Sequence, residues 1–449
     1  TKMIDYQLLV AVFIGIVVLL GLILVVRIQA FISLLIASIT VGLVAGLAPM
    51  TIIETMQQGM GNTLGFVALV VGLGAMFGAI LEQSGGAEAL AKYLLTKFGE
   101  KRASWAMMLT GFLVAIPVFF DVAFIILVPL IYALQRKTGQ SWLLYGIPLL
   151  AGLAITHAFI PPTPGPIAVA DILNADLGWV ILFGVIAGIP AAIVAGPMFA
   201  NYISKKIKIQ APKLEANTVN IDNYPSPMLI LSIIAIPIVL ILANTLLNAP
   251  LIPAETLSKD LKTIVSMLGH PFVALIIANL VAWYVLGIRR GYSKAQLLEI
   301  TTKSMAPAGI IILLTGAGGV FKQMLVNTGT GEMLANYFAN NGVNFLLFAF
   351  LSAGIIRVLQ GSATVAMITA ASITAPLLTT ETTEIDKALM VIAIAAGASM
   401  LSHVNDSGFW LVSKYLGLTE KQTFRSWTMM TTLLAVVGFL TVFLVSFVV

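Results

Sequence analysis

Four ionisable side chains stand inside long apolar runs: Asp121 in PVFFDVAF, His157 in ITHAFIPPTPGP, and His403 and Asp406 in LSHVNDSGFW. An ionised Asp at helix-centre depth costs about 2.5–3.5 kcal/mol on insertion scales, and acids at such depth default to ion or substrate pathways. Histidine titrates near neutral pH and has two ring nitrogens with which to read a ligand. Uncharged groups accompany them at the same breaks. Thr163 and Gly165 offer a hydroxyl and a backbone N–H, Ser362 and Thr364 offer hydroxyls beside Gly361, and the Asn405 amide both donates and accepts, which suits a polyol. Arg357, one turn before Gly361, has the fork geometry to hold a carboxylate bidentately. Each residue also has a plainer reading. The acids cap half-helices, the hydroxyls bond back to local carbonyls, the histidines are satisfied structural donors, and Arg357 neutralises Asp406 or snorkels. His270, beside Pro271, reads as interfacial and Lys322 as snorkelling from a helix end.

Composition settles the class that must position these residues. The chain has 449 residues, 59% hydrophobic and 10% charged, with mean hydropathy +1.03, against roughly 25% charged in a soluble domain. A soluble enzyme is excluded, and the fold class is all-α integral membrane. No cysteine is present and only three histidines, which leaves no disulfide or thiolate metal site and makes a His-rich centre a poor expectation. No metal, no cofactor and no catalytic residue is expected. The net charge of +5 does not point to nucleic acid, since membrane proteins gather Lys and Arg in cytoplasmic loops.

Apolar runs fall at 6–26, 28–48, 64–82, 105–135, 142–170, 178–202, 228–247, 267–287, 305–324, 345–378, 388–413 and 426–449. The first is of full length without a small-residue cleavage site and reads as a span. Segment 105–135 has basic residues on both flanks and is interrupted by Pro117 and Asp121, so its halves are too short to cross and a re-entrant hairpin is predicted. Segment 345–378 has the same length and breaks at Gly361-Ser362-Ala363-Thr364. With that topology the loops 27–30, 84–104, 136–141, 203–227, 288–304 and 414–425 hold 18 of the 24 Lys and Arg, which marks them cytoplasmic.

An internal repeat supports the layout. Residues 72–93 align without gaps on 316–337 with nine identities in 22, and Thr156-His157 matches Ser402-His403 at nearly the same offset. The expected organisation is a first inverted repeat over 1–203, with hairpin 105–135 and broken helix 142–170, a cytoplasmic linker 204–227, and a second repeat over 228–449, with hairpin 345–378 and broken helix 388–413. That gives about 11 transmembrane helices plus two hairpins. Inverted repeats with discontinuous helices hold substrates near the midplane of transporters. Helix breaks at Pro117–Asp121, Gly361–Thr364, Thr156–Pro166 and Ser402–Gly408 should therefore face one another around a wet cavity, where half-helix N-termini favour an anion.

The strings GGAEALAKYLLTKFG, FFDVAFIILVPL, THAFIPPTPGPIAVADILNADLG, LQGSATVAMITAASITAPL and SHVNDSGFW resemble the gluconate permease family of proton symporters, within the ion transporter superfamily, from about residue 20 to the C-terminus. The resemblance implies proton-driven uptake of a sugar acid across the inner (cytoplasmic) membrane. It further implies a homodimer with a fixed scaffold and a transport domain that moves as an elevator. On that comparison the substrate site maps to His157, Thr163, Gly165, Ser362, Thr364, His403 and Asn405, and proton coupling to Asp121 ahead of Asp406; Arg357, read from its position alone, is a candidate charge partner. Family members also carry D-serine, idonate, fructuronate or glycerate, and sodium coupling stays open because Ser362-Ala363-Thr364 suits a sodium site. Many members read FYEV where this chain has FFDV, so the reach of Asp121 is the shorter. A channel or an intramembrane hydrolase is the distant alternative.

Overall fold

The computed structural model describes residues 6–207, 224–248, 259–329, 344–379, 381–403 and 406–449, and every regular element among them is helical. In chain order these are α1 (Tyr6–Leu24), α2 (Ala30–Val44), α3 (Pro49–Gln83), α4 (Gly86–Phe98), α5 (Ala103–Val114), α6 (Phe120–Thr138), α7 (Leu143–Phe159), α8 (Pro164–Leu173) and α9 (Leu177–Lys206). The second half contains α10 (Pro227–Asn248), α11 (Lys259–Leu268), α12 (Pro271–Arg290), α13 (Lys294–Asn327), α14 (Phe345–Gln360), α15 (Ala363–Thr374), α16 (Glu384–Ser399), α17 (Ser407–Tyr415) and α18 (Glu420–Val445).

Seven helical stretches among the described residues are long and apolar enough to cross a membrane, the pair α7–α8 counting as one of them. Four further apolar helices are shorter, including α1, α2 and the two on either side of Gly361. Two spans outrun their hydropathy. The apolar runs 64–82 and 305–324 are the cores of α3 and α13, helices of 35 and 34 residues. Their polar first halves, such as Glu54-Thr55-Met56-Gln57-Gln58, stay helical as α3 and α13 pack on each other along their length. At the crossing a Cβ on Gly59 would lie 2.8 Å from the Gly319 carbonyl, and one on Gly319 would lie 2.0 Å from the Thr63 hydroxyl. Small residues are what let two membrane helices meet backbone to backbone.

All four expected breaks are present. Residues 115–119 separate α5 from α6, 160–163 separate α7 from α8, Gly361-Ser362 separate α14 from α15, and α16 ends at Ser399 while α17 begins at Ser407. The second is shorter than the proline count suggests. Pro164 and Pro166 fall in the first turn of α8, where the missing N–H has no intrahelical partner in any case. In each half the helix before a tip packs on the first part of a broken helix, α5 on α7 and α14 on α16. Most of the expected linker, and residues 330–337 of the repeat, lie outside the described residues.

Candidate substrate site

Each break is closed by local chemistry. Thr163 caps α8 by position while its hydroxyl donates to the Ile160 carbonyl at 2.6 Å. Gly361 ends α14 at φ +91°, a left-handed conformation that glycine adopts without a Cβ clash. Ser362 then caps α15 by accepting from the Val365 N–H at 3.3 Å, and Asp406 caps α17 by accepting from the Gly408 N–H at 3.1 Å. Four half-helices, α6, α8, α15 and α17, thus begin at breaks and present their positive ends there.

Pairwise contacts tie the breaks together. Phe120, at the start of α6, lies 6.4 Å from the His157 ring and 5.7 Å from the Trp427 ring. Trp427 donates to the Ser402 hydroxyl at 2.7 Å, and that hydroxyl donates to Asp406. Asp406 is ion-paired with Arg357, whose guanidinium also donates to the Gly361 carbonyl. Asp406 is also close enough to Asp121 for the two carboxylates to interact electrostatically. On α8, a Cβ at Gly165 would touch the Met367 sulfur on α15 at 3.1 Å.

Along α3, Gly74 faces the Pro162 carbonyl and Gly78 faces the tip, where a Cβ would sit 1.9 Å from the Pro117 carbonyl. A crevice of about 10 Å³, room for about one water, runs between Gly74, Pro117–Phe119, His157 and Pro162–Pro164. It shares Ala75 and Pro117–Phe119 with a cleft of about 480 Å³. That cleft runs past Glu82 and Gln83 to Tyr292, Gln296, Glu299, Lys303 and Ser304, and its size suits a small organic ligand. The polar groups at its mouth already have partners: Lys303 pairs with Glu299 at 2.6 Å, Tyr292 donates to the Gln83 carbonyl at 2.6 Å, and Ser304 donates to the Thr301 carbonyl at 2.7 Å.

The predicted site residues therefore divide. Thr163, Ser362, His403 and Asp406 are engaged within the protein, His403 through its Nε2 at 2.8 Å from the Val358 carbonyl at the end of α14. Asp121 is exposed in the first turn of α6, and Thr364 is half-buried in the first turn of α15; neither has a hydrogen bond among the described residues. The His157 Nδ1 is buried and unpartnered among them. Asn405 lies outside the described residues. His270 caps α12, accepting from the Phe272 N–H at 3.4 Å, and Lys322 is half-buried within electrostatic reach of Asp171. Two participants carried little signal in the sequence: Ser402 was visible only as a match in the repeat and the first residue of a break, and Trp427 carried none.

Apolar helices long enough to cross a membrane, interrupted by breaks that begin four half-helices, suit a membrane carrier rather than an enzyme. The family model described as GntP family permease matches residues 7–448. The chain is 39% identical to the gluconate permease of Pseudomonas aeruginosa over 94% of both chains. It is 40% identical to the low-affinity gluconate transporter of Escherichia coli over 94% of this chain and 95% of that one. Its fold is similar to that of the YdaH transporter of Alcanivorax borkumensis, with a TM-score of 0.66, 16% identity, and coverage of 93% of this chain and 98% of that one. The chain belongs to the GntP permease family and is a multi-pass membrane transporter.

Proposed function

We propose that this permease carries gluconate or a closely related sugar acid into the cell in symport with protons. The observation that carries the reading is that the starts of α6 and α8 flank the crevice at His157, with α15 packed on α8 and Asp406 at the start of α17 within electrostatic reach of Asp121 on α6, an arrangement that suits a carboxylate. In this reading the substrate carboxylate docks on the free N–H groups at the starts of α6, α8, α15 and α17. The hydroxyls are read by His157, Thr364 and Asn405. Gly165 keeps the start of α8 open to the ligand, and Thr163, Ser362 and His403 hold the walls in place through their caps. Asp121 carries the proton, because it is the acid at the breaks whose carboxylate is exposed and has no hydrogen bond among the described residues.

The wide cleft opens beside Tyr292–Ser304, the side that the cation count assigns to the cytoplasm, so we read this state as inward-open. Two inverted repeats, 1–203 and 228–449, with re-entrant hairpins, a homodimer and an elevator-like movement in the inner membrane complete the proposal. The supports are the recurrence of long helix, tip and broken helix in both halves and the names of the relatives.

The test is uptake of labelled gluconate into proteoliposomes. An inside-alkaline pH gradient should drive accumulation without sodium, and Asp121→Asn should leave saturable exchange while abolishing accumulation. Uptake that persists when the pH gradient is collapsed but stops without sodium would overturn proton coupling. D-serine, idonate and glycerate as competitors define the substrate.

A further inference from the structure

Arg357 and Asp406 lie 49 residues apart in the chain and are among the least exposed charges described, with side chains 5% and 12% exposed. Arg357 bridges two places at once, the Gly361 carbonyl at the tip that follows α14 and the Asp406 carboxylate that caps α17. His403 binds the Val358 carbonyl one turn earlier, so two basic side chains finish the C-terminus of α14. Asp406 accepts from Arg357, from the Ser402 hydroxyl and from the Gly408 N–H. Ser402 in turn is 1% exposed and anchored to α18 on three sides: its hydroxyl accepts from Trp427, its carbonyl from Thr428, and its N–H donates to the Thr431 hydroxyl. The charged and titratable groups that face Asp406 are Arg357 and Asp121, with His403 three residues away on the same break.

We infer that Arg357 is a positioning residue: with Asp406 it forms a charge-neutral latch that clamps the tip between α14 and α15 to the break between α16 and α17, and the coupling proton does not travel on Asp406. A carrier must meet water and exchange its proton at each turnover. Asp406 is 12% exposed and held by Arg357, Ser402 and Gly408, and a proton placed on it would take the paired charge from the Arg357 guanidinium, which stays charged and is 5% exposed. The latch fixes where α15 and α17 begin, and so where their N–H groups point. The inference rests on the transport reading of this site, but its first readout does not.

The experiment compares Arg357→Gln, Asp406→Asn, the double variant and Arg357→Lys by thermal melting in detergent and by gluconate uptake in proteoliposomes. Either single neutralisation strands a buried charge and should lower the melting temperature and cut uptake by about tenfold or more. The neutral pair removes both charges together, so the double variant should regain most of the melting temperature. It should recover uptake to within about threefold of the unsubstituted protein, since paired buried charges are strongly coupled, and still accumulate gluconate under a pH gradient. Arg357→Lys keeps the charge but lacks the fork to reach both partners, so it should melt near the unsubstituted protein with a raised KM and an unchanged pH profile. A double variant no more stable than the weaker single would overturn the latch. One that melts normally and exchanges gluconate but cannot accumulate it would show that Asp406 carries the proton. If the unsubstituted protein itself fails to accumulate gluconate under a pH gradient, proton coupling fails, and the latch is then judged on the melting cycle and the KM of Arg357→Lys.

Discussion

Gly78→Ala is the sharpest probe of how α3 seats the first tip. The added methyl would lie 1.9 Å from the Pro117 carbonyl oxygen and 3.0 Å from its carbon, both backbone atoms that cannot rotate away. Restoring an ordinary carbon–oxygen separation requires α3 and the tip to part by over 1 Å, and overpacking of this kind costs about 1–3 kcal/mol. The same helix supplies its own controls. At Gly74 the new methyl would meet the Pro162 carbonyl at 3.4 Å, an ordinary contact, and at Gly65 it would meet nothing within 4 Å. Alanine at an unhindered helical glycine is favourable by about 0.5–1 kcal/mol. Melting in detergent should therefore rank Gly65→Ala above the unsubstituted protein, Gly74→Ala close to it and Gly78→Ala below it. Gluconate uptake should fall steeply only for Gly78→Ala, because a misplacement of about 1 Å at a binding site can cost about 100-fold. If Gly78→Ala melts and transports like Gly65→Ala, the tip does not depend on α3 for its position and the reasoning fails.

His157→Leu, which removes the unpartnered Nδ1, should raise KM for gluconate by about tenfold, the worth of one hydrogen bond, with little change in melting. Loss of melting temperature without a change in KM would assign the ring to packing against Phe120. In this cysteine-free chain, Ser304→Cys in the wide cleft should react with a membrane-impermeant thiol reagent supplied from the cytoplasmic side, and gluconate should slow the reaction; labelling only from the opposite side would reverse the orientation. Burial pushes the Glu88 carboxyl above its ordinary value of 4.5, against the opposing pull of its own backbone N–H and of Lys92. A carboxyl raised in the folded state weakens the fold wherever it must ionise. Glu88→Gln should therefore raise the melting temperature at pH 7–8, and the gain should fade as pH falls through the raised folded value and be absent below about 4.5; a gain independent of pH would exclude this cause.

Much of the site was legible because its signals are local. Pro117, Pro161, Pro162 and Gly361 each fall at a helix end, so the breaks could be located to within a few residues. The repeat predicts how the halves pair, and the charge count predicts the cytoplasmic side. The roles of the polar residues at those breaks were not legible. Ser362, Thr163, His403 and Asp406 have the same types whether they hold a ligand or a helix end, and only the carbonyls and N–H groups around them show that they hold helix ends here. The starts of α3 and α13 were also missed, because hydropathy registers lipid exposure and these helices continue through polar residues on the strength of their mutual packing.

The sequence by itself determined the solvent this protein lives in, where its helices break and which family it belongs to, because hydrophobicity, proline geometry and motif strings are properties of short stretches of chain. Only the tertiary structure decided that Arg357 meets Asp406, that Trp427 supports Ser402, that Gly78 admits the Pro117 carbonyl, and that Asp121, His157 and Thr364 keep groups without protein partners among the described residues. Those facts are pairings between segments tens to hundreds of residues apart, and no local pattern specifies which distant backbone group will arrive to satisfy a given side chain.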